Sequence, residues 1–286
     1  MPTGLRARDA ARSASRRLES AGVPEPEASA EVLLSELLGV RRGEIPFHQK
    51  PLTDEQARLY ERWIARRTNR EPVQRILGRA YFRNLVLNLN EETLIPRPDT
   101  ESVADAALER LDARGGAGVV LDVGTGSGAI AISIAQERPR ATVHATDLSA
   151  VALEAAERNA RENGASVRFH RADLFAGMPI PERTIDLLVS NPPYIDAETL
   201  ESLAPEVRDW DPPRALDGSP DGLFFYRRIF EEAPPLLKDG ADVVLEVGDG
   251  QGEAVLELGE KAGFSPLGLR NDLAGTPRVA LLRWEG

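Results

Sequence analysis

Asn191, Pro192, Pro193 and Tyr194 are four consecutive residues whose types could do chemistry together. They follow the apolar run 185–190, Ile-Asp-Leu-Leu-Val-Ser, which predicts a buried strand. Two successive prolines end such a strand, because neither has an N–H to donate and each fixes φ. The stop sets an amide, two backbone carbonyls and an aromatic ring at the carboxyl end of the strand. That is the end at which open α/β sheets bind ligands. This set of groups suits methylation of a planar, poorly nucleophilic nitrogen. Four residues alone also fit a proline-rich loop, so the neighbouring elements carry the decision.

A second constellation lies upstream. Gly124-Thr125-Gly126-Ser127-Gly128 connects a predicted strand over 119–123 to a predicted helix over 129–137. Glycine in such a turn permits positive φ and close approach of a ligand to the backbone. The helix N-terminus offers free N–H groups and partial positive charge to an anion. That anion is pyrophosphate in a dinucleotide site and can be the methionine carboxylate in an S-adenosylmethionine site. The G-x-G-x-G spacing departs from the dinucleotide pattern G-x-G-x-x-G. Asp147 ends the next predicted strand, 23 residues after Gly124. An acid about 20 residues on is placed to accept hydrogen bonds from ribose hydroxyls. The alternative is a cap for the helix beginning near Ser149. Asp173 follows the third strand, where it could meet an adenine amino group, with Leu174 or Phe175 packing on the ring. Otherwise Asp173 is a turn residue and Phe175 is core.

The elements that must position these groups fall into three stretches. Residues 5–70 read as helical, with Pro24 and Pro26 as punctuation and a capping signature, Thr53-Asp54-Glu55-Gln56, opening the third helix. Residues 81–89 alternate apolar and polar and predict a short hairpin. Leu94-Ile95-Pro96-Arg97-Pro98 blocks a helix until about Asp99, which is placed to cap the helix reaching Leu111. From Val119 onward strands and helices alternate, which predicts a mainly parallel, doubly wound sheet.

Composition narrows the function. The 286 residues contain no cysteine, which removes disulfides, thiolate metal sites and cysteine nucleophiles together. His48, His144 and His170 are scattered along the chain, so no zinc site is expected. No run approaches the roughly 20 apolar residues that span a bilayer. The N-terminus lacks the apolar segment of a signal peptide, which predicts a cytoplasmic protein. The net charge of −11 is uneven: residues 1–75 carry 14 basic and 11 acidic residues, and the remainder carries 21 basic and 35 acidic. An acidic body disfavours a protein built to grip duplex phosphates, since phosphate neutralisation dominates that affinity.

Taken in order, the motifs resemble the release factor glutamine N5-methyltransferases, the HemK/PrmC family of class I S-adenosylmethionine-dependent methyltransferases. They are Glu71-Pro72-Val73-Gln74-Arg75-Ile76-Leu77-Gly78, 94–101, 122–130, 189–195, 215–218 with 221–223, and Leu245-Glu246-Val247-Gly248. They span nearly the whole chain. The resemblance implies a helical substrate-recognition domain over 1–72, a β-hairpin linker over 73–98, and a Rossmann-like seven-stranded α/β methyltransferase domain over 99–286. It implies S-adenosylmethionine as cofactor, held by Gly124, Thr125, Gly126, Ser127, Gly128, Asp147, Leu148, Asp173, Leu174 and Asn191, and no metal. The implied partner is a peptide chain release factor, methylated on the glutamine of its Gly-Gly-Gln loop by a monomeric enzyme with no stable nucleic-acid binding and no membrane attachment. In that reaction the Asn191 side-chain oxygen and the Pro192 carbonyl accept the two amide hydrogens, Pro193 completes the substrate loop, and Tyr194 packs over the amide plane. Arg75 and Leu87 stand where the family often has aromatic residues, and Ser219-Pro220 varies a glycine-rich step.

Two other acceptors suit Asn-Pro-Pro-Tyr as a motif: the exocyclic amine of adenine in DNA or RNA, and a glutamine of a ribosomal protein. An adenine enzyme needs a flipped base and a positive groove, which the acidic body and helical N-terminal region disfavour. A non-catalytic cofactor-binding scaffold would not need the glycine turn, Asp147 and Asn-Pro-Pro-Tyr together.

Overall fold

The computed structural model describes residues 4–272 and 274–286. The chain divides into two compact units, Met1–Gly78 with Ala204–Trp210, and Arg79–Leu203 with Asp211–Gly286.

The first unit is helical, with helices Ala7–Ser20, Pro26–Leu38, Asp54–Thr68 and Val73–Leu77. Its core joins Ala10, Ala14 and Leu18 to Leu33, Leu34, Tyr60 and Ile64. Tyr60 is fully buried and donates its hydroxyl to the Ala30 carbonyl at 2.8 Å, which satisfies the only polar atom of its side chain. The capping signature forms as expected. Thr53 Oγ1 accepts from the Gln56 N–H at 3.2 Å, and Gln56 Oε1 accepts from the Thr53 N–H at 3.0 Å. The segment Pro205–Arg208 brings Glu206, which accepts from Arg67 and from Arg70.

The second unit opens with a hairpin of β1 (Arg79–Phe82) and β2 (Leu85–Asn88). Phe82, Leu85 and Leu87 face inward, whereas Tyr81 and Val86 face out, the alternation the sequence predicts. The main sheet has seven strands: β3 (Gly118–Val123), β4 (Ala141–Asp147), β5 (Val167–Arg171), β6 (Ile185–Ser190), β7 (Leu237–Glu246), β8 (Phe264–Asn271) and β9 (Pro277–Trp284). Their order is β5-β4-β3-β6-β7-β9-β8. The first five are parallel, and β9 runs antiparallel to both β7 and β8. This is the mainly parallel, Rossmann-like sheet expected from the sequence.

Period-two alternation assigns each strand residue to one of two cores. Leu121, Leu188, Val243 and Leu245 pack with Tyr226, Ile229 and Phe230 of the helix Phe224–Glu232. Val120, Leu187, Val189 and Val244 pack with the helices Glu101–Asp112 and Ala129–Glu137. Asp99 does not cap the helix that follows it. A short 3-10 turn, Pro98–Thr100, leads into Glu101–Asp112, and the Asp99 carboxylate instead lies 3.9 Å from Arg278. The two prolines confine the chain to that turn, so the cap position passes to Thr100, whose side chain makes no capping bond. Among the described residues no helix is long and apolar enough to cross a membrane.

Thr53→Ala removes the capping acceptor of Asp54–Thr68 and is expected to destabilise the helical unit by about 1 kcal/mol. Urea unfolding followed by far-ultraviolet circular dichroism measures it, and an unchanged midpoint would contradict a stabilising cap.

Candidate active site

The strand order reverses between β3 and β6: from β3 the chain proceeds to β4 on one side, and it later returns to β6 on the other. A crevice opens beyond the carboxyl ends at such a switch point. The pairing register sets Val123 opposite Ser190, so Gly124 and Asn191 leave the sheet side by side. Ser190 reinforces the join by donating its hydroxyl to the Val123 carbonyl at 2.7 Å. A cavity of about 380 Å³ lies there. It is lined by Gly124, Thr125, Gly126, Ser127, Asp147, Leu148, Asp173, Leu174, Asn191, Pro192 and Pro193.

The glycine turn shows why its residues are needed. Gly124 and Gly126 have φ of 73° and 56°, and a side chain at either would have no neighbour within 4 Å, so the space beside the turn is open. Gly128 has the opposite constraint. A Cβ there would lie 2.8 Å from Ile132 Cδ1 and 3.3 Å from Ala156 Cβ. It therefore serves helix packing rather than the cavity, and it is absent from the cavity wall.

Asp147 accepts from the Gly126 N–H and from the Ser149 N–H, each at 2.9 Å. Ser149, not Asp147, caps the next helix, Ala150–Glu162, by accepting from Ala152. Burial raises the Asp147 carboxyl above its ordinary value, although these backbone donors pull it back. Leu148 is more than half exposed at the rim and offers an apolar face. Asp173 is exposed and accepts from Arg228 at 2.8 Å, while Leu174 holds a left-handed backbone with φ 52° beside it. Phe175 belongs to the core behind the sheet, so only Leu174 of that pair reaches the cavity.

Asp122 was not singled out from the sequence, where it reads as the last polar residue of a buried strand. Its Oδ2 accepts from the Thr125 hydroxyl at 2.6 Å and from the Ala131 N–H at 3.2 Å, and its Oδ1 is buried with no hydrogen-bond partner. It lines the cavity. Burial pushes its carboxyl up to about 7, with Thr125 and Ala131 opposing and Asp147 reinforcing the rise. An orphaned acceptor of this kind fits a cation, such as the ammonium of an amino-acid moiety. With the open glycine turn, two raised carboxyls and apolar Leu148 and Leu174, the wall has the donor and acceptor chemistry that S-adenosylmethionine requires.

At the acceptor side, the Asn191 Nδ2 donates to Thr100 Oγ1 at 3.2 Å, which leaves the amide oxygen as the end free for a ligand. Pro192 and Pro193 continue the wall. Tyr194 is placed differently from the expectation. It does not line the cavity. Its ring packs against the core cluster behind the sheet, and its hydroxyl donates to Glu246 Oε1 at 3.3 Å. The chain turns after the prolines because Ile195 bridges to Asp217, and Gly218 and Gly222 press on the Tyr194 backbone. A Cβ at Gly222 would lie 2.4 Å from the Tyr194 carbonyl oxygen. The motif 215–223 therefore acts as a buttress for Asn191–Tyr194.

The family model described as the PrmC N-terminal domain matches residues 9–78, and the methyltransferase small domain matches residues 100–206. A release factor glutamine methyltransferase from Cereibacter sphaeroides is 41% identical over 98% of this chain and 99% of its own length. One from Streptomyces coelicolor is 43% identical over 94% and 95%. A solved methyltransferase from Pyrococcus furiosus, 22% identical, shares the fold with a TM-score of 0.53 over 71% of this chain and 90% of its own. With its sheet, switch-point cavity and full-length relatives in agreement, this chain belongs to the release factor glutamine methyltransferase family.

Proposed function

We propose that this enzyme methylates the side-chain nitrogen of a glutamine in a peptide chain release factor, the loop glutamine of Gly-Gly-Gln, with Asn191 and Pro192 holding the amide. The observation that carries the proposal is the orientation of Asn191, whose nitrogen is committed to Thr100 and whose oxygen is left to accept. The cofactor is S-adenosylmethionine, which when bound supplies a methyl group on a sulfonium that is already electrophilic. Gly124 to Ser127, Asp122, Asp147, Leu148, Asp173 and Leu174 are the residues proposed to hold it.

A glutamine amide is a poor nucleophile because its lone pair is delocalised into the carbonyl. Its two N–H groups become more acidic, and better donors, as positive charge grows on nitrogen. Acceptors at the Asn191 oxygen and the Pro192 carbonyl therefore bind more tightly as the reaction advances, which is preorganised electrostatic stabilisation. The same two contacts fix the nitrogen for in-line approach, and such positioning can contribute roughly 7–11 kcal/mol. No side chain need remove a proton beforehand, since the nitrogen sheds one to water after transfer. Tyr194 is proposed to hold the loop from behind. The helical unit is proposed to recognise the release factor, and a cytoplasmic monomer remains the expected form.

Asn191→Ala is expected to abolish methylation of purified release factor while leaving cofactor affinity within about threefold, because the lost acceptor serves mainly the transition state. Near-normal turnover by that variant, with labelled cofactor as the readout, would sink the assignment.

Asp122 gives a second expectation. Below about 7 its carboxyl is protonated and neutral, and above it the carboxylate would be the partner for the ligand's ammonium. Binding favours the ionised form, so cofactor affinity is expected to tighten from pH 6 to 7.5, by up to about tenfold per pH unit on the acid side. Titration calorimetry of the wild type and Asp122→Asn checks this: the variant should bind more weakly and lose the pH dependence.

A further inference from the structure

The helix Phe224–Glu232 reaches the cavity with one residue and holds its rim with another. Phe225 lines the cavity wall, and Arg228, three residues on, donates through Nη1 to Asp173 Oδ1 at 2.8 Å. Arg228 is itself held from both directions along its own helix. Its Nε donates to Glu232 Oε1 at 2.7 Å, and its guanidinium lies 5.9 Å from the centre of the Phe224 ring. Those partners stand four residues to either side, where a helix brings side chains together. The Phe224 ring in turn meets the Phe225 ring edge-on, with centres 5.2 Å apart. The reaction as described gives Phe224, Arg228 and Glu232 no part.

We propose that Arg228 is a positioning residue for the cofactor, holding the Asp173 carboxylate so that its second oxygen is presented to the amino group of the adenine ring. The proposal rests on the place of Asp173 among the cofactor-holding residues given above. Asp173 lines the cavity, Arg228 occupies Oδ1, and Oδ2 has no hydrogen-bond partner among the described residues. An exposed carboxylate turns freely about its side-chain bonds, and a ligand that uses it must first stop that motion. A guanidinium is a planar, rigid fork. With Nε committed to Glu232 and Nη1 to Asp173, the fork fixes the carboxylate before the ligand arrives. An ionised carboxylate only accepts, so the ligand group that it takes must donate. The amino group of adenine donates, and a ring carbon bearing only hydrogen does not.

The backbone around Asp173 is already set. Leu174 holds φ at 52° and lines the cavity, and Phe175 is anchored in the core behind the sheet. The freedom left at this corner is that of the Asp173 side chain, and Arg228 removes it. The side chains of Asp173 and Arg228 are 52% and 24% exposed, and an ion pair so exposed adds little to stability. Its consequence therefore lies in where the free oxygen points.

The test is calorimetric binding of two ligands to the full-length enzyme: S-adenosylhomocysteine, and its purine analogue with hydrogen in place of the 6-amino group. The wild type should bind the adenine compound about tenfold more tightly, the worth of one hydrogen bond to a charged group. Asp173→Ala should bring the ratio of the two Kd values to about one, and Arg228→Met should bring it within about threefold, because the carboxylate remains but is no longer held. A merely structural role for Arg228 would lower the thermal midpoint or weaken both ligands alike and leave the ratio at its wild-type value. That result overturns the proposal. If Arg228→Met fails to fold, the double variant Phe224→Ala with Glu232→Gln, which frees Arg228 without removing it, decides by the same ratio: a reduced ratio supports the proposal and a wild-type ratio overturns it. A wild type that binds neither compound, or both equally, or a ratio that survives Asp173→Ala, overturns the cofactor-holding role of Asp173 given above and the proposal with it. A ratio lost in Asp173→Ala and kept in Arg228→Met overturns the proposal alone, which separates the two failures.

Discussion

The parallel pairing of β3 with β6 is the constraint on which the rest of this enzyme depends. Val123 opposite Ser190 places the glycine turn and the Asn-Pro-Pro-Tyr loop at adjacent points of one sheet edge, although Asn191 lies 67 positions after Gly124 in the chain. A parallel pair cannot be made by a tight turn and needs crossovers that return the chain to the same end. The helices and strands between 129 and 185 supply those crossovers and also deliver Asp147 and Asp173 to the same rim. The apolar faces of both strands are buried on each side, so a slip in register would expose core residues as well as separate the two loops.

The charged groups divide according to whether they serve this edge. Asp242 is as buried as Asp122, yet Arg110, Arg114 and Arg283 all reach it, and their bonds outweigh burial to hold its carboxyl below the usual range. Asp122 and Asp147, on the cavity wall, receive only hydroxyl and backbone donors, so burial wins and their carboxyls are raised. Leaving carboxylates without cations costs stability, and such a cost is expected where a ligand brings the missing charge. S-adenosylmethionine is a cation at sulfur and carries an ammonium group, which matches a site short of positive partners.

The four-residue motif is divided between two sides of the sheet edge. Asn191, Pro192 and Pro193 face the cavity, and Tyr194 faces the core with its hydroxyl on Glu246. Gly218 and Gly222 allow the segment after the motif to fold back against the Tyr194 backbone, where any side chain would collide. The rigidity of the loop thus comes from residues well removed in sequence, and the departure at Ser219-Pro220 leaves both contact glycines in place.

Much of this was legible in the residues. Strand and helix periods, the capping pair Thr53 and Gln56, the alternation of the hairpin and the proline stop after Ser190 are local effects, decided by covalent geometry and by which side chains must avoid water. The places of Gly124, Gly126 and Asp147 on the cavity wall followed from the strand-turn-helix context, whereas that of Gly128 against Ile132 and Ala156 did not. Other features depended on neighbours that the chain does not place nearby. Asp99 looked like a cap until the two prolines held it in a 3-10 turn. Phe175 and Leu174 were indistinguishable until the backbone sent one into the core and the other to the rim. His144 and His170, apart in sequence, lie on paired strands with ring nitrogens 2.9 Å from each other. The sequence by itself determined the elements, their order and the chemistry available at strand ends, because those depend on local conformation and polarity. Only the tertiary structure decided which carboxyls are deprived of water and cations, and which way Asn191 and Tyr194 face, because desolvation and hydrogen-bond direction are set by atoms brought together across the sheet.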